Sequence, residues 1–208
     1  MESKSKQNKK LLFVHDHKFI KNNDEIYSPG GLSNEVLSRY TKYFDEIIVL
    51  GRIVYKNDIS ERYSKITNSK ITVVDGKKTS YQSLKSLIIN CDGLIIRLPS
   101  LLGLKSAAIA ILFKKKFIVE LVGNAWDAYW LHSFKGKLVA GPINLFTKLI
   151  VFYSEYVIFV TKRYLQSTYH TKAITTNISN VHLEGMDSNV LENRLAKIAS
   201  FKSSQKII

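Results

Sequence analysis

The sequence predicts a doubly wound α/β domain: a mainly parallel sheet of about six to seven strands with helices on both faces. Three observations carry this. Short apolar runs recur along the chain, and most are continuous rather than alternating, which is how strands buried on both faces read. Longer stretches between them repeat apolar residues at spacings of three and four. Gly, Pro or Asp-Gly closes most of the runs.

The first run, Leu11 to Val14, follows a basic leader and is a strand. A helix is expected from Gly31 to Phe44, with Leu32, Val36, Leu37 and Tyr40 on one face. Ile47 to Leu50 is the second strand, ended by Gly51, and Ile71 to Val74 is the third, closed by Asp75-Gly76. Ser80 to Ile89 repeats the helical pattern through Leu84, Leu87 and Ile88. Leu94 to Leu98, stopped by Pro99, is the fourth strand, and the apolar Leu101 to Phe113 is a helix whose alanines allow close packing on a sheet. Phe117 to Val122 is the fifth strand. Ser133 to Tyr153 is the longest helix, and it leads into a sixth strand at Val157 to Val160. A short helix at Arg163 to Tyr169, a weak strand near Ile178 to Leu183 and a loose helix at Val190 to Ala199 complete the pattern.

Composition bounds the function classes. With 45% hydrophobic and 23% charged residues in 208, the chain can build a core without staples, and disorder is expected only at the ends. Cys91 is the sole cysteine, so no internal disulfide forms and a reducing compartment fits. The polar N-terminus and the short apolar stretch after it do not read as a signal peptide. Val139 to Val160 is the best candidate for a membrane span, but Pro142, Lys148 and Glu155 interrupt it, so a buried helix and a strand are expected there. The net charge of +14 draws the protein towards anions: nucleic acid, acidic lipid or phosphorylated ligands.

In a doubly wound sheet, ligands bind beyond the carboxyl ends of the strands. Four segments stand there. Tyr27-Ser28-Pro29-Gly30-Gly31 opens a helix, and paired glycines let backbone approach a phosphate. The stretch Gly123 to His132 places Asn124, Trp126, Asp127, Tyr129, Trp130 and His132 directly after the fifth strand. Hydrogen-bonding groups interleaved with flat aromatic faces suit a sugar, with its hydroxyl edges and apolar face; the same rings also suit stacking on bases. Lys162 and Arg163 follow the sixth strand and suit a phosphate contact. His15 and Asp16 end the first strand as crevice contacts; no further Cys or His pattern joins them and His17 into a metal site. A plain turn, a core-edge aromatic loop and exposed charges remain the structural alternatives for these segments.

Taken together, Lys10 to His15, Tyr27 to Leu32, Val119 to Ala128 and Val160 to Gln166 resemble the N-terminal domain of family-four glycosyltransferases with the GT-B fold, of the kind that builds bacterial surface polysaccharides. Gly-Asn-x-Trp-Asp at residues 123–127 is the most specific piece. The resemblance implies two Rossmann-like halves facing across a cleft, one holding the nucleotide sugar and one the acceptor. It puts Gly30 and Gly31 near the donor diphosphate, and Asn124, Trp126, Asp127 and His132 on the acceptor side. It implies no bound cofactor or metal beyond a nucleotide-sugar donor, and a glycan or lipid-linked acceptor at the inner face of the cell membrane. Lys-rich patches would then adhere to anionic lipid.

On this reading residues 1–9 are a basic leader, 10–185 the Rossmann-like acceptor-side domain, and 186–208 a linker and the start of a second domain that the chain lacks. A separate chain supplying that domain is one expectation; a truncated product is the other. Transfer by this chain alone is not expected, because one wall of a two-walled site supplies half the groups. A basic module binding nucleic acid or anionic membrane without catalysis is the rival from another class. No RNP pattern or zinc finger supports the nucleic-acid version. A complete small Rossmann enzyme using a dinucleotide is a second rival, and the missing glycine fingerprint after Val14 argues against it.

Overall fold

A computed structural model describes residues 8–131, 133–179 and 188–199. Nine strands and seven α-helices follow one another among them: β1 Lys10–Asn22, β2 Glu25–Ser28, α1 Asn34–Ser38, β3 Glu46–Tyr55, β4 Ser64–Lys65, β5 Ile71–Asp75, α2 Tyr81–Asn90, β6 Gly93–Leu98, α3 Leu101–Leu112, β7 Ile118–Leu121, α4 Ala125–Trp130, α5 Phe134–Tyr153, β8 Tyr156–Phe159, α6 Tyr164–Thr168, β9 Ile174–Asn177 and α7 Ser188–Ala199. A 3₁₀ turn, Arg39–Lys42, extends α1.

The fold class is as the sequence predicts, a largely parallel sheet flanked by helices. All parallel pairs run in the order β5-β3-β1-β6-β7-β8-β9. The chain therefore winds outward from β1 in one direction to β5, then returns and winds in the other from β6 to β9. This is the Rossmann-type order, and its reversal falls between β1 and β6. Opposite winding directions put the connections on opposite faces. Leu37 of α1 packs over Leu11, Phe13, Ile47 and Val49 on one face. Side chains of α2, α3, α5 and α6 pack with Leu12, Val14, Ile96, Leu98 and Val119 on the other. Burial on both faces explains why these strands read as unbroken apolar runs.

The structure corrects the boundaries in five places. β1 does not stop after Val14: it passes a register shift between Val14 and Lys18 and continues to Asn22, because Phe19 and Ile20 are a second buried pair. It then turns at Asn23, whose φ is 51°, into an antiparallel hairpin with β2. Gly51 does not end β3. A Cβ there would lie 2.8 Å from the Phe19 ring and 3.0 Å from the His17 carbonyl oxygen, so glycine permits close passage of β1 within a longer strand. The helix expected from Gly31 begins at Asn34, where Ser33 Oγ accepts the Val36 N–H. The aromatic stretch after β7 is a helix, α4, rather than a loop. The weak last strand lies at Ile174–Asn177, before the Ile178 to Leu183 segment, most of which falls outside the described residues. The proposed opening of a further domain at 206–208 is also outside them.

Among the described residues no helix is long and apolar enough to cross a membrane.

Candidate functional site

The reversal between β1 and β6 opens a cleft of about 730 Å³ at the carboxyl edge of the sheet. Each neighbouring strand contributes residues at or just past the end of its buried stretch: His15 and Asp16 from β1, Arg52 from β3, Gly76 and Lys77 after β5, Pro99 after β6. Leu101, Leu102 and Lys105 of α3 form one wall, and Ala128 and Tyr129 of α4 close the side.

Asp16 organises the floor. Its backbone N–H donates to Ser100 Oγ at 3.2 Å, and its carbonyl accepts Arg52 Nε at 2.8 Å. Its carboxylate accepts the Leu102 N–H at 3.3 Å, at the start of α3, where the helix dipole favours negative charge. Ser100 also caps α3 by accepting the Gly103 N–H at 2.9 Å. Strand and helix are thus tied together at the bottom of the cleft. Arg52, Lys77 and Lys105 share the cleft lining with this one carboxylate, so cations outnumber anions among the described residues that line it.

His15 and His17 lie on one side of β1, with stacked rings 6.5 Å apart. Burial, and then the nearby Arg97 guanidinium, hold both well below the usual imidazole range, at about 4, so both are neutral at physiological pH. His15 Nδ1 is buried without a hydrogen-bond partner and belongs to a residue of the cleft lining. His17 Nε2 is 2.8 Å from Ser28 Oγ.

The other sequence candidates fall around this cleft rather than in it. A Cβ on Gly30 would lie 3.5 Å from His17 Cε1, so the glycine loop rests on the far side of the histidine pair. Gly31 lines a separate groove of about 220 Å³ on the opposite face, with Arg97 and Glu120. Asn124 and Asp127 anchor α4. Asn124 Oδ1 accepts the Trp126 N–H at 2.9 Å, while Tyr164 Oη accepts from Asn124 Nδ2 at 3.0 Å and donates to Asp127 Oδ2 at 2.9 Å. Tyr169 Oη accepts the Ala125 N–H at 2.7 Å beneath them. Trp126 stacks on Trp130, with ring centroids 4.9 Å apart, on the outer side of α4. Lys162 and Arg163 are exposed just before α6. His132 lies outside the described residues. Among the described residues, no group of three His, Cys, Asp or Glu side chains could hold a metal ion.

This chain is similar to Protein CapJ of Staphylococcus aureus. The two are 37% identical over 177 residues, a match that takes in 76% of this chain and 44% of that protein. The chain therefore spans less than half the length of the curated relative it matches. No family model matches the chain, and no solved structure matches it.

Sequence reasoning missed Arg52, Lys77 and Lys105, and gave Tyr129 only as one ring of the Gly123 to His132 stretch. A signal for two of them was present: Arg52 follows Gly51 and Lys77 follows Asp75-Gly76, both beyond strand runs at the edge where ligands bind. Lys105 and Tyr129 sit on helices, and only the fold turns them toward the strand ends. Gly136 helps to set that orientation. A Cβ there would lie 2.2 Å from the Tyr129 carbonyl oxygen, so the α4–α5 corner closes tightly only around glycine.

Proposed function

We propose that this chain is the acceptor-side half of a GT-B-type glycosyltransferase of bacterial surface-polysaccharide assembly, and that the switch-point cleft receives the phosphorylated part of a sugar substrate. The observation that carries the reading is the cleft itself, where three cationic side chains, Arg52, Lys77 and Lys105, surround the end of β1. Similarity to a protein named CapJ supports a capsule-related role. The half-exposed tryptophan pair of α4 beside the cleft suits the apolar face of a sugar ring.

On this reading the chain's residues bind and orient rather than react. Arg52, Lys77 and Lys105 neutralise phosphate charge, and Asp16 keeps β1 and α3 in register beneath it. Neutral His15 lines the cleft beside them, with its Nδ1 buried away from a ligand. A complete site for transfer needs a facing domain that holds the nucleotide sugar, so the chain alone is expected to bind without turning over.

Calorimetric titration of the chain with pyrophosphate, a UDP-sugar and a short polyprenyl diphosphate tests this. Binding of a diphosphate that weakens at least about tenfold in R52A/K77A, equivalent to losing roughly one charge-assisted contact, supports the reading. Binding that is indifferent to these residues, or sugar transfer by the chain alone, overturns it. Preference for oligonucleotides over every diphosphate would favour the basic binding module instead.

A further inference from the structure

We propose that the outward face of α5, with the adjoining face of α3, is a docking surface for an anionic lipid bilayer. The inference rests on this surface and not on the sugar-transfer reading, which concerns the cleft.

The helix α5 is apolar on two sides. Gly136, Ala140, Ile143, Thr147, Ile150 and Val151 form its buried side, against the core. Phe134, Leu138, Leu145, Leu149 and Tyr153 follow one another at steps of four and seven, so they share the opposite side. Phe134, Leu138, Leu145, Phe146 and Leu149 are exposed by 79%, 71%, 57%, 56% and 43%. A surface helix normally turns polar residues outward, and one that is apolar all round is normally covered. Between α5 and α3 the surface dips into a trough of about 560 Å³, walled by Leu104, Ala108, Ile111, Leu112, Phe146 and Leu149 among others. Its dimensions and lining suit acyl chains. A contiguous apolar surface of this kind marks an interaction site.

The charges around it select the occupant. The residues of α3 and α5 include no Asp or Glu, and their only charged side chains are Lys105, Lys135, Lys137 and Lys148. All four are exposed, and none is in an ion pair among the described residues. An apolar strip with a rim of lysines matches a bilayer whose headgroups carry negative charge. A second copy of the same face would set these lysines against one another, which opposes self-association through it. The rim also includes an aromatic pair: Trp126 and Trp130 lie stacked and partly exposed on α4, with Lys137 Nζ 5.6 Å from the Trp130 ring. Indoles favour the headgroup level of a bilayer.

The helix lies along such a surface rather than through it. It is anchored by its buried side to the sheet, and no described helix is long and apolar enough to cross a membrane. The N-terminal turns of α5 and the start of α3 adjoin the cleft through α4 and Leu101. A ligand with its head in the cleft and its tail in the bilayer would meet both at once.

Charge alone would give adhesion that salt abolishes; apolar insertion leaves a part that salt does not remove. The experiment is flotation of the chain with vesicles of phosphatidylglycerol and phosphatidylethanolamine, against phosphatidylcholine alone, at low and at half-molar salt. The chain's two tryptophans are both in α4, so their emission reports on this edge without a label. The expected result is binding to the anionic vesicles, a blue shift on binding, and a bound fraction that falls but persists at high salt. The variant L138S/L145S/L149S should lower partitioning at least about tenfold while leaving the circular dichroism spectrum and diphosphate binding unchanged. K135E/K137E/K148E, which alters no apolar residue, should remove the preference for anionic lipid. Vesicle binding that the serine variant leaves intact would overturn the proposal. So would the absence of vesicle binding, including the case where light scattering finds a dimer that the serine variant dissolves.

Discussion

The carboxylate of Asp16 accepts the backbone N–H of Leu102 at 3.3 Å, so the start of α3 already holds an anion that comes from β1. In a doubly wound fold a helix start near the switch point commonly faces a ligand phosphate. Here the chain's own side chain takes that position, and Arg52, Lys77 and Lys105 are the cations that line the cleft beside it.

Replacing Asp16 therefore has two effects of opposite sign. Asp16→Ala removes an acceptor from the first turn of α3 and should destabilise the fold by about 1 kcal/mol. It also removes the only carboxylate among the described residues of the cleft lining, so pyrophosphate affinity should rise. Urea denaturation and calorimetric titration on one preparation read both. Asp16→Asn keeps an acceptor and should recover part of the stability while keeping the gain in affinity.

Arg97 and Glu120 form a two-point ion pair across β6 and β7, at 3.0 and 2.7 Å, with side chains only 7% and 12% exposed. Removing one partner strands the other inside the protein. Glu120→Ala should cost about 3–5 kcal/mol, whereas R97M/E120L, which removes both charges and keeps the bulk, should cost far less. A double-mutant cycle built from R97M and E120L in urea measures this; a double loss equal to the sum of the two single losses would show that the pair is not coupled.

Tyr169 is fully buried and its hydroxyl receives the Ala125 N–H at 2.7 Å. Tyr169→Phe leaves that donor without its acceptor and should destabilise by about 1–3 kcal/mol. The loss should also loosen α4 locally, seen as faster hydrogen exchange at Ala125 and its neighbours relative to the amides of β1. Uniform acceleration across the domain would instead indicate a purely global effect.

His15 and His17 link the cleft to pH. Both titrate at about 4 in the folded chain, because burial and then the Arg97 guanidinium disfavour the charged ring. In the unfolded chain they titrate near the ordinary 6.5. The unfolded state thus takes up protons first. Stability is complete above pH 6.5, falls as pH drops towards 4, and loses nothing more from these groups below that. With roughly 1.4 kcal/mol for each tenfold difference in proton affinity, and some solvent at the cleft, the pair should account for a loss on the order of 3 kcal/mol across that window. Denaturation midpoints measured from pH 7.5 to 4 should show it, and H15N/H17Q should flatten the dependence.

Much of the sheet was legible because burial on both faces writes one-sided chemistry into each strand. Ile71 to Val74, Leu94 to Leu98 and Val157 to Phe159 carry almost no polar residue, and each is a parallel strand. The β1–β2 hairpin was hidden because Lys18, Lys21 and the histidines interrupt the apolar signal, while only Phe19 and Ile20 meet the core. The α4 helix was hidden for a related reason. Its six residues are too few to show a helical period, and its stability comes from Tyr164 and Tyr169, about forty positions later in the chain.

By itself the sequence determined the fold class, the succession of the buried parallel strands with most of the helices between them, and the edge at which a ligand should be sought, since these depend on local apolar period and on where Gly and Pro interrupt it. Tertiary structure alone decided which side chains meet at that edge. Arg52, Lys77, Lys105 and His15 are far apart along the chain and converge because the winding reverses between β1 and β6. It also decided that α5 buries one apolar side and exposes another, because the side of a helix that faces the core is set by the sheet it packs against rather than by its own composition.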